Sequence, residues 1–548
     1  MSVKYLIKTQ LAMRQVLLSI LCITLSINAL SQNYDWVQFE KINFQQNPSY
    51  ISYPIAFDKL NGRVIAARPD TGSFIYNQDL YGTTFLESRD SNGLLLWQLA
   101  MGPAVSVQEL TCDDFGNYYV AGVMDDDLIL GSNDTIPFFN ITLSNKNNFI
   151  FQVDASGQIG WKRNVSQQWP SYNGIQGLAA SPSGDVWYAM SDFFLAKIVR
   201  LDASGNDTQI RTIDNGKTIG AIAFDPWGGM FISGSAEEGD YIMDGSTWYA
   251  PHDYNMSLAY YTPAGVPGWA LFGHDITFQH PIIATDDFGN VFFTNNIYDS
   301  TTFGGIFFHN PLPAADFMAF KADTSGQVLW GVQQPPLLIG PFGRLDIGLN
   351  ICVDADAAGN FYLGGTQSGT VDWGNGLVSV LPNYTDRRIA VAKISPSGSA
   401  QWVKMGGSNG YNAAQGVAVS PGGSCYFTGV FSDSAYFDSI FFPTTNFTNS
   451  CIGKIFDSGF TGIEENETSE VLIYPNPASH EIILPVLPAA TIIKLYDAVG
   501  RMVKQQKYSE SPTMNVENIP TGIYFLNFER NGITVTRKIV KMQMNDDR

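Results

Sequence analysis

The stretch Val391-Ala392-Lys393-Ile394-Ser395-Pro396-Ser397-Gly398-Ser399-Ala400-Gln401-Trp402 recurs along this chain, and that recurrence limits the fold more than any other feature. A short apolar strand runs into a small polar turn with glycine, and a second strand carrying tryptophan follows. Close copies stand at Phe149 to Trp161 and Ala319 to Trp330. Weaker ones stand at Ala259 to Trp269, Phe85 to Trp97 and Lys197 to Gly205, the last without its tryptophan. A second turn signal accompanies the repeat, at Asn61-Gly62, Gly116-Asn117, Ser183-Gly184, Gly228-Gly229, Gly289-Asn290, Gly359-Asn360 and Gly422-Gly423. Each follows an apolar run and precedes an aromatic one, such as Tyr118-Tyr119-Val120. Glycine supplies the positive φ of a hairpin turn, while Asp, Asn and Ser bond their own backbone there. These turns lie about 60 residues apart, against about 40–50 for known blade repeats, so each unit is expected to carry extra loop.

One unit reads strand, turn, strand, long loop, strand, turn, strand. Four antiparallel strands make a propeller blade, which cannot bury both faces alone and must stack in a ring. The expected fold is all-β: a seven-bladed β-propeller over 32–460, a linker at 461–470 and a small Ig-like β-sandwich at 471–548. The seventh copy ends at Ile455-Phe456 without a tryptophan strand. Tyr34-Asp35-Trp36-Val37-Gln38 resembles Ala400-Gln401-Trp402-Val403-Lys404, so residues 34–39 are expected to supply the missing outer strand and leave no broken edge.

The start is a targeting segment. Lys4, Lys8 and Arg14 precede the apolar run Val16 to Ile27, and Ala29-Leu30-Ser31 offers small residues at a cleavage site. Residues 1–31 therefore read as a signal peptide cut between Ser31 and Gln32. The apolar run is short for a spanning helix and no later stretch is longer, so no transmembrane segment is expected. Fifty-one acidic residues against 31 basic ones give a formal charge of −20. Such a body repels nucleic acid and anionic lipid. Cys425 and Cys451, on what should be neighbouring strands of the last repeat, are a candidate disulfide for an oxidising compartment.

From Val471 the pattern changes to short strands separated by Gly500, Pro520-Thr521-Gly522 and Asn531-Gly532, the mark of a small sandwich. Tyr474-Pro475-Asn476-Pro477, Tyr496-Asp497 with Gly500, Gly522-Ile523-Tyr524 and Arg537-Lys538-Ile539-Val540 resemble the type A C-terminal sorting domain of the type IX secretion system. That resemblance implies export through the periplasm and across the outer membrane by machinery that recognises the tail, removal of the tail, and a body released or held at the cell surface. The repeats, with their Gly-Asn turns and Ala-Lys…Gly…Trp units, resemble the bacterial extracellular beta-propeller repeat family, which implies a fold and leaves function open.

Catalytic patterns fail on context. Gly406-Gly407-Ser408-Asn409-Gly410 matches a nucleophile elbow in letters only, since that motif needs a helix after its strand. His480-Glu481 lacks the second histidine of a zincin. His252, His274, His280 and His309 include no i,i+2 or i,i+4 pair, and no metal site is assigned. Asp125-Asp126-Asp127 and Asp354-Ala355-Asp356 offer the oxygens calcium takes, without the ladder of a calcium loop, so no cofactor is expected.

What remains is surface. The loops between second and third strands and between blades share one face, and they are long and aromatic. Trp169, Tyr172, Trp248, Tyr249, Trp373 and Tyr411 are the candidate ligand residues, because exposed rings offer large contact area at low entropy cost. The expected function is a secreted or cell-surface binding protein, monomeric, for an extracellular glycan or protein. The alternatives are a polysaccharide hydrolase or lyase with its site in the funnel, and a structural part of a surface layer or gliding apparatus.

Overall fold

Alternating apolar and polar positions between glycine turns form strands throughout. A computed structural model of the chain describes residues 33–42, 52–70, 74–76, 79–132, 134–140, 146–172, 174–310, 315–334, 343–348, 351–381, 383, 385–443, 448–456, 478–484, 491–497, 501–508, 513–530 and 533–541. Two compact units divide at Phe460 and Thr461.

Among the described residues of the first unit, seven antiparallel sheets, each built around four strands, follow one another at 55–102, 105–164, 177–214, 216–274, 282–333, 344–408 and 412–456, the last with its fourth strand from the start of the chain. Numbered one to seven in this order, they are the blades. Their innermost strands touch in sequence. Ile55–Asp58 meets Val105–Cys112, then come Gly177–Ala180, Gly216–Phe224, Ile282–Thr285, Val353–Ala355 and Asn412–Val419, and the last returns to Ile55–Asp58. The ring closes, and the fold is propeller-like.

Blade seven takes its outer strand from the start of the chain. Asn33–Ile42 pairs antiparallel with Thr448–Phe456, with Gln38 opposite Ile452 and Ile42 opposite Thr448. Tyr34, Val37 and Ile42 are buried there.

The contacts explain the repeat. The fourth-strand tryptophan of one blade lies on the third turn of the next. Trp97 Nε1 donates to Ala155 O at 2.9 Å, Trp269 to Thr324 O at 2.9 Å and Trp330 to Pro396 O at 2.9 Å. Trp36 does the same to Ser91 O at 3.0 Å, which joins blade seven to blade one. The turn glycine beneath has a positive φ, and a Cβ on Gly93, Gly157, Gly205, Gly326 or Gly398 would stand 3.0 Å or closer to a ring atom. Glycine is thus required twice over, by backbone and by contact.

In every blade but the third, the extra length of the repeat is a hairpin between second and third strands. Leu128–Leu130 with Asp134–Ile136, from blade two, adds to the outer strand of blade one; Gly239–Met243 with Ser246–Ala250, from blade four, adds to blade three. Ala435–Phe437 with Ile440–Phe442 does the same from blade seven to blade six. The long loops are therefore partly ordered strands with one face turned inward.

The candidate disulfide is corrected by register. Cys425 stands opposite Ile455, and Cys451 opposite Gly429. Four residues at about 3.3 Å each separate the two along the strands, or about 13 Å, beyond the roughly 7 Å a disulfide spans. Both are buried thiols.

The second unit carries one sheet of Met502–Lys507, Ile492–Asp497, Gly522–Arg530 and Ile533–Lys541, and a smaller pair, Glu481–Ile483 with Thr513–Asn515. Ile482, Leu484, Ile493, Leu495, Met514, Leu526 and Phe528 fill the space between. Gly522 opens its strand, the Tyr524 hydroxyl donates to Pro520 O at 2.8 Å, and Lys538 pairs with Phe525 across the sheet. Tyr474, Pro475, Asn476, Pro477 and Gly500, with Ser31 and Gln32, lie outside the described residues.

Candidate functional site

The sequence reading points to two places in the propeller, the axis and the long-loop face. The axial cavity holds about 400 Å³ and is lined by the innermost strands of all seven blades. Its acids are mostly consumed by structure. Asp113 accepts the amides of Phe115 and Asn117 and the hydroxyl of Tyr119, and Asp286 accepts those of Phe288 and Asn290 and pairs with Lys321 at 2.8 Å. Asp225 takes two amides of its own turn and the Tyr260 hydroxyl at 2.7 Å. Asp354 is pushed up to about 6 by burial. Both its oxygens are held by backbone, Oδ1 by Ala355 N at 2.8 Å and Oδ2 by Val419 N at 2.7 Å, so it clasps blade six to blade seven. Asp114 and Asp287 stand exposed at the mouth with Lys59. A carboxylate tied to amides is a poor proton donor in a reaction, and Asp113, Asp225, Asp286 and Asp354 are each tied in this way.

Asp127 Oδ1 accepts Phe138 N, and Asp126 Oδ1 accepts Asp127 N. Among the described residues, no three His, Cys, Asp or Glu side chains gather as metal ligands would. No helix there is long and apolar enough to cross a membrane.

A buried acid gives a pH signature. Glu109, on the innermost strand of blade two, has an enclosed Oε2 with no hydrogen-bond partner among the described residues, and burial pushes it up to about 8. Raised above the unfolded value, it favours the folded state while protonated. That contribution is complete below about pH 4.5 and lost as pH rises through 8. His252 and His280 are lowered by burial and act in the opposite sense, but only below the ordinary 6.5. Between pH 7 and 8 unfolding free energy should fall by up to about 1.4 kcal/mol per unit, and Glu109→Gln should flatten it. Urea unfolding at four pH values measures this, and a slope unchanged in the variant would assign it elsewhere.

The six candidate aromatics do not converge. Trp169 and Tyr172 stand edge to face at 6.3 Å in blade two's exit loop, with Lys197 Nζ 4.9 Å from the Trp169 ring and the Trp169 Nε1 donating to Asp207 at 3.2 Å. Tyr172 is buried there. Trp248 and Tyr249 lie side by side on the blade-four hairpin, Trp248 half-buried and Tyr249 exposed with its hydroxyl on Glu238 at 2.9 Å. Trp373 belongs to the blade-six hairpin and is corrected to a core residue: it is buried against Phe317 at 5.1 Å and donates to Ser379 Oγ at 2.8 Å. Tyr411 is half-buried between blades six and seven.

A different aromatic patch forms on the same face. Phe193, in the second loop of blade three, is 46% exposed, and Phe194 beside it is 72% exposed. Ser191 Oγ and Asp192 Oδ1 accept the amides of residues 193 to 195 and build the turn. It holds Phe193 at φ 74°, a costly conformation for a bulky side chain. The Phe193 ring meets Phe278 at 5.0 Å, and Phe278 meets Tyr254 at 4.9 Å, so loops of blades three, four and five join. Lys217 Nζ sits 5.5 and 5.3 Å from the rings of Phe193 and Phe194. Sequence reasoning missed this patch. The Phe193-Phe194 doublet was its one local signal, and its aromatic partners, Tyr254 and Phe278, lie 60 or more residues away.

The fold and tail define an exported, all-β, propeller-like protein. Residues 472–542 match the family of secretion system C-terminal sorting domains, and the tail marks the chain for the type IX machinery and for the cell surface or extracellular space. Among solved structures the chain is similar to PorZ of Porphyromonas gingivalis, described as an essential bacterial surface component of the type-IX secretion system. Identity is 10%, 90% of this chain and 75% of that one are covered, and the TM-score is 0.27. It is also similar to virginiamycin B lyase from Staphylococcus aureus, at 11% identity, with 76% and 99% covered and a TM-score of 0.36. At such scores neither likeness bears on function. No curated protein matches the chain.

Proposed function

We propose that the mature chain is a cell-surface or released binding protein that holds a glycan or protein ligand without chemistry of its own. The carrying observation is the patch of Phe193, Phe194, Tyr254 and Phe278, where a strained turn keeps two phenylalanines in solvent on the long-loop face. Exposed apolar patches rimmed by polar groups mark interaction surfaces. Engagement of the axial acids by amides and hydroxyls supports binding over a hydrolase or lyase.

The test is a glycan array and a pull-down from envelope and medium fractions with the exported protein, with release of reducing sugar followed in the same samples. Binding without product is expected. Phe194→Ser should weaken capture of a partner about 30-fold, the size of a central interface residue, with thermal stability unchanged. Sugar release, or capture indifferent to Phe194→Ser, would overturn the assignment.

A further inference from the structure

Two inter-blade contacts of the repeat fail together at the seam between blades three and four, and that seam is open. In blades one, four, five and six the fourth-strand tryptophan stands opposite Ser88, Tyr260, Lys321 and Lys393. In blade three the matching position, opposite Arg200, is Gln209. A second ladder fails at the same place. Leu60, Phe115, Trp227 and Phe288 each lie against the first-turn glycine of the next blade, at Gly116, Gly184, Gly289 and Gly359. Blade three has Ser183 there, and a Cβ on Gly228 in blade four would meet nothing within 4 Å. Two bulky residues are thus replaced by small polar ones, and a cavity of about 530 Å³ lies between blades three and four on the turn face.

Its walls are specific. Arg211 lies 4.6 Å over the Tyr261 ring and 5.7 Å from Trp187, and donates to Gly265 O at 2.7 Å. Trp227 lines the cavity and is 62% exposed, and Arg200 and Gln209 stand at the rim. The buried Tyr261 hydroxyl lies beside the Asp244 carboxylate. Neither guanidinium carries spare charge, for Arg200 pairs with Asp185 at 2.7 Å and Arg211 with Asp244 at 3.0 Å. An anion gains little from such a site. Aromatic faces beside fixed donors and acceptors suit a ligand with an apolar C–H face and a rim of hydroxyls, and the volume lies in the usual ligand range of about 300–1,000 Å³.

We infer that the seam between blades three and four is a binding site for one or two neutral pyranose units of an extracellular glycan. The inference rests on the chain being a binding protein, and it concerns the face opposite the phenylalanine patch. Blade two supplies the test variant. There Trp161 covers Gly205 while Arg163, two residues on, donates to Gly205 O at 2.8 Å, so tryptophan and arginine fit the same turn together. Gln209→Trp should therefore restore the repeat and fill the cavity without unfolding the ring.

The experiment is calorimetric titration of the full exported chain with neutral gluco-, manno-, galacto- and xylo-oligosaccharides and with their uronic counterparts. At least one neutral series should bind, its uronic form more weakly. Gln209→Trp should lower affinity at least tenfold with the melting temperature held or raised, and Trp227→Ala should lower it without unfolding. Absence of neutral-sugar binding, preference for uronic acids, or binding indifferent to Gln209→Trp would each overturn the site. If binding survives Gln209→Trp and is lost in Phe194→Ser, the general function stands and the seam falls.

Discussion

A chain lacking Asn33–Ile42 is expected to lose its folded propeller. The segment forms the whole outer strand of blade seven. It buries Tyr34, Val37 and Ile42, each worth about 1.5–3 kcal/mol. Tyr34 meets Phe437 edge to face at 5.2 Å and Phe427 at 5.6 Å, and its amide donates to Asp438 at 3.0 Å. Beyond its own blade, Trp36 reaches Ser91 and Gln38 Nε2 donates to Gly93 O at 2.9 Å, so removal opens the seam to blade one as well. Domains hold only about 5–15 kcal/mol in total, and these losses reach that scale. The bared edge of Thr448–Phe456 would template pairing with another chain. Melting, size exclusion and limited proteolysis should show an aggregating, protease-sensitive product, and a synthetic 33–42 peptide added in trans should restore part of the protection. A truncated chain that melts within about 3 °C of the intact one, where 1 kcal/mol moves a large domain about 2–4 °C, would show that the inner strands close the ring unaided.

That latch was legible because its contact recurs. One tryptophan-on-glycine contact, repeated around the ring, leaves the same letters each time, so Trp36 was recognisable far from its partners. The hairpins were not legible. Tyr249 faces solvent while Trp373 faces Phe317, and this depends on which hairpin face meets the previous blade, which sequence spacing does not encode. Adjacent strands did carry Cys425 and Cys451, but their register is set by the short turns and the hairpin between them, and four residues of offset separate the sulfurs. The phenylalanine patch unites residues 193, 254 and 278 only after three blades are stacked. The open seam left a trace that sequence could carry: the copy at Lys197 to Gly205 has no tryptophan after it. That absence reads as a degenerate repeat until Ser183, Gln209 and the cavity are seen in one place.

Loss of the tail is expected to stop export altogether while leaving the propeller intact. Residues 472–542 match the secretion sorting family, and the tail unit has its own core around Ile482, Leu495, Met514, Leu526 and Phe528. A chain ending at Phe460 should therefore fold, melt like the intact protein and stay inside the cell envelope, with the amount at the surface and in the medium falling to background. Leu495→Asp makes the finer point. It places a charge in a fully buried position, a change that costs several kcal/mol when nothing pairs it, so the tail should unfold and export should fail although every surface residue remains. Tyr524→Phe removes only the hydrogen bond to Pro520, worth about 1 kcal/mol, and should leave export largely unchanged. Immunoblots of envelope, surface and medium fractions distinguish these results. Failure in Leu495→Asp with survival in Tyr524→Phe would mean that the machinery reads a folded sandwich, whereas normal export of Leu495→Asp would mean that it reads a short linear segment and that the tail's β-sandwich serves another purpose.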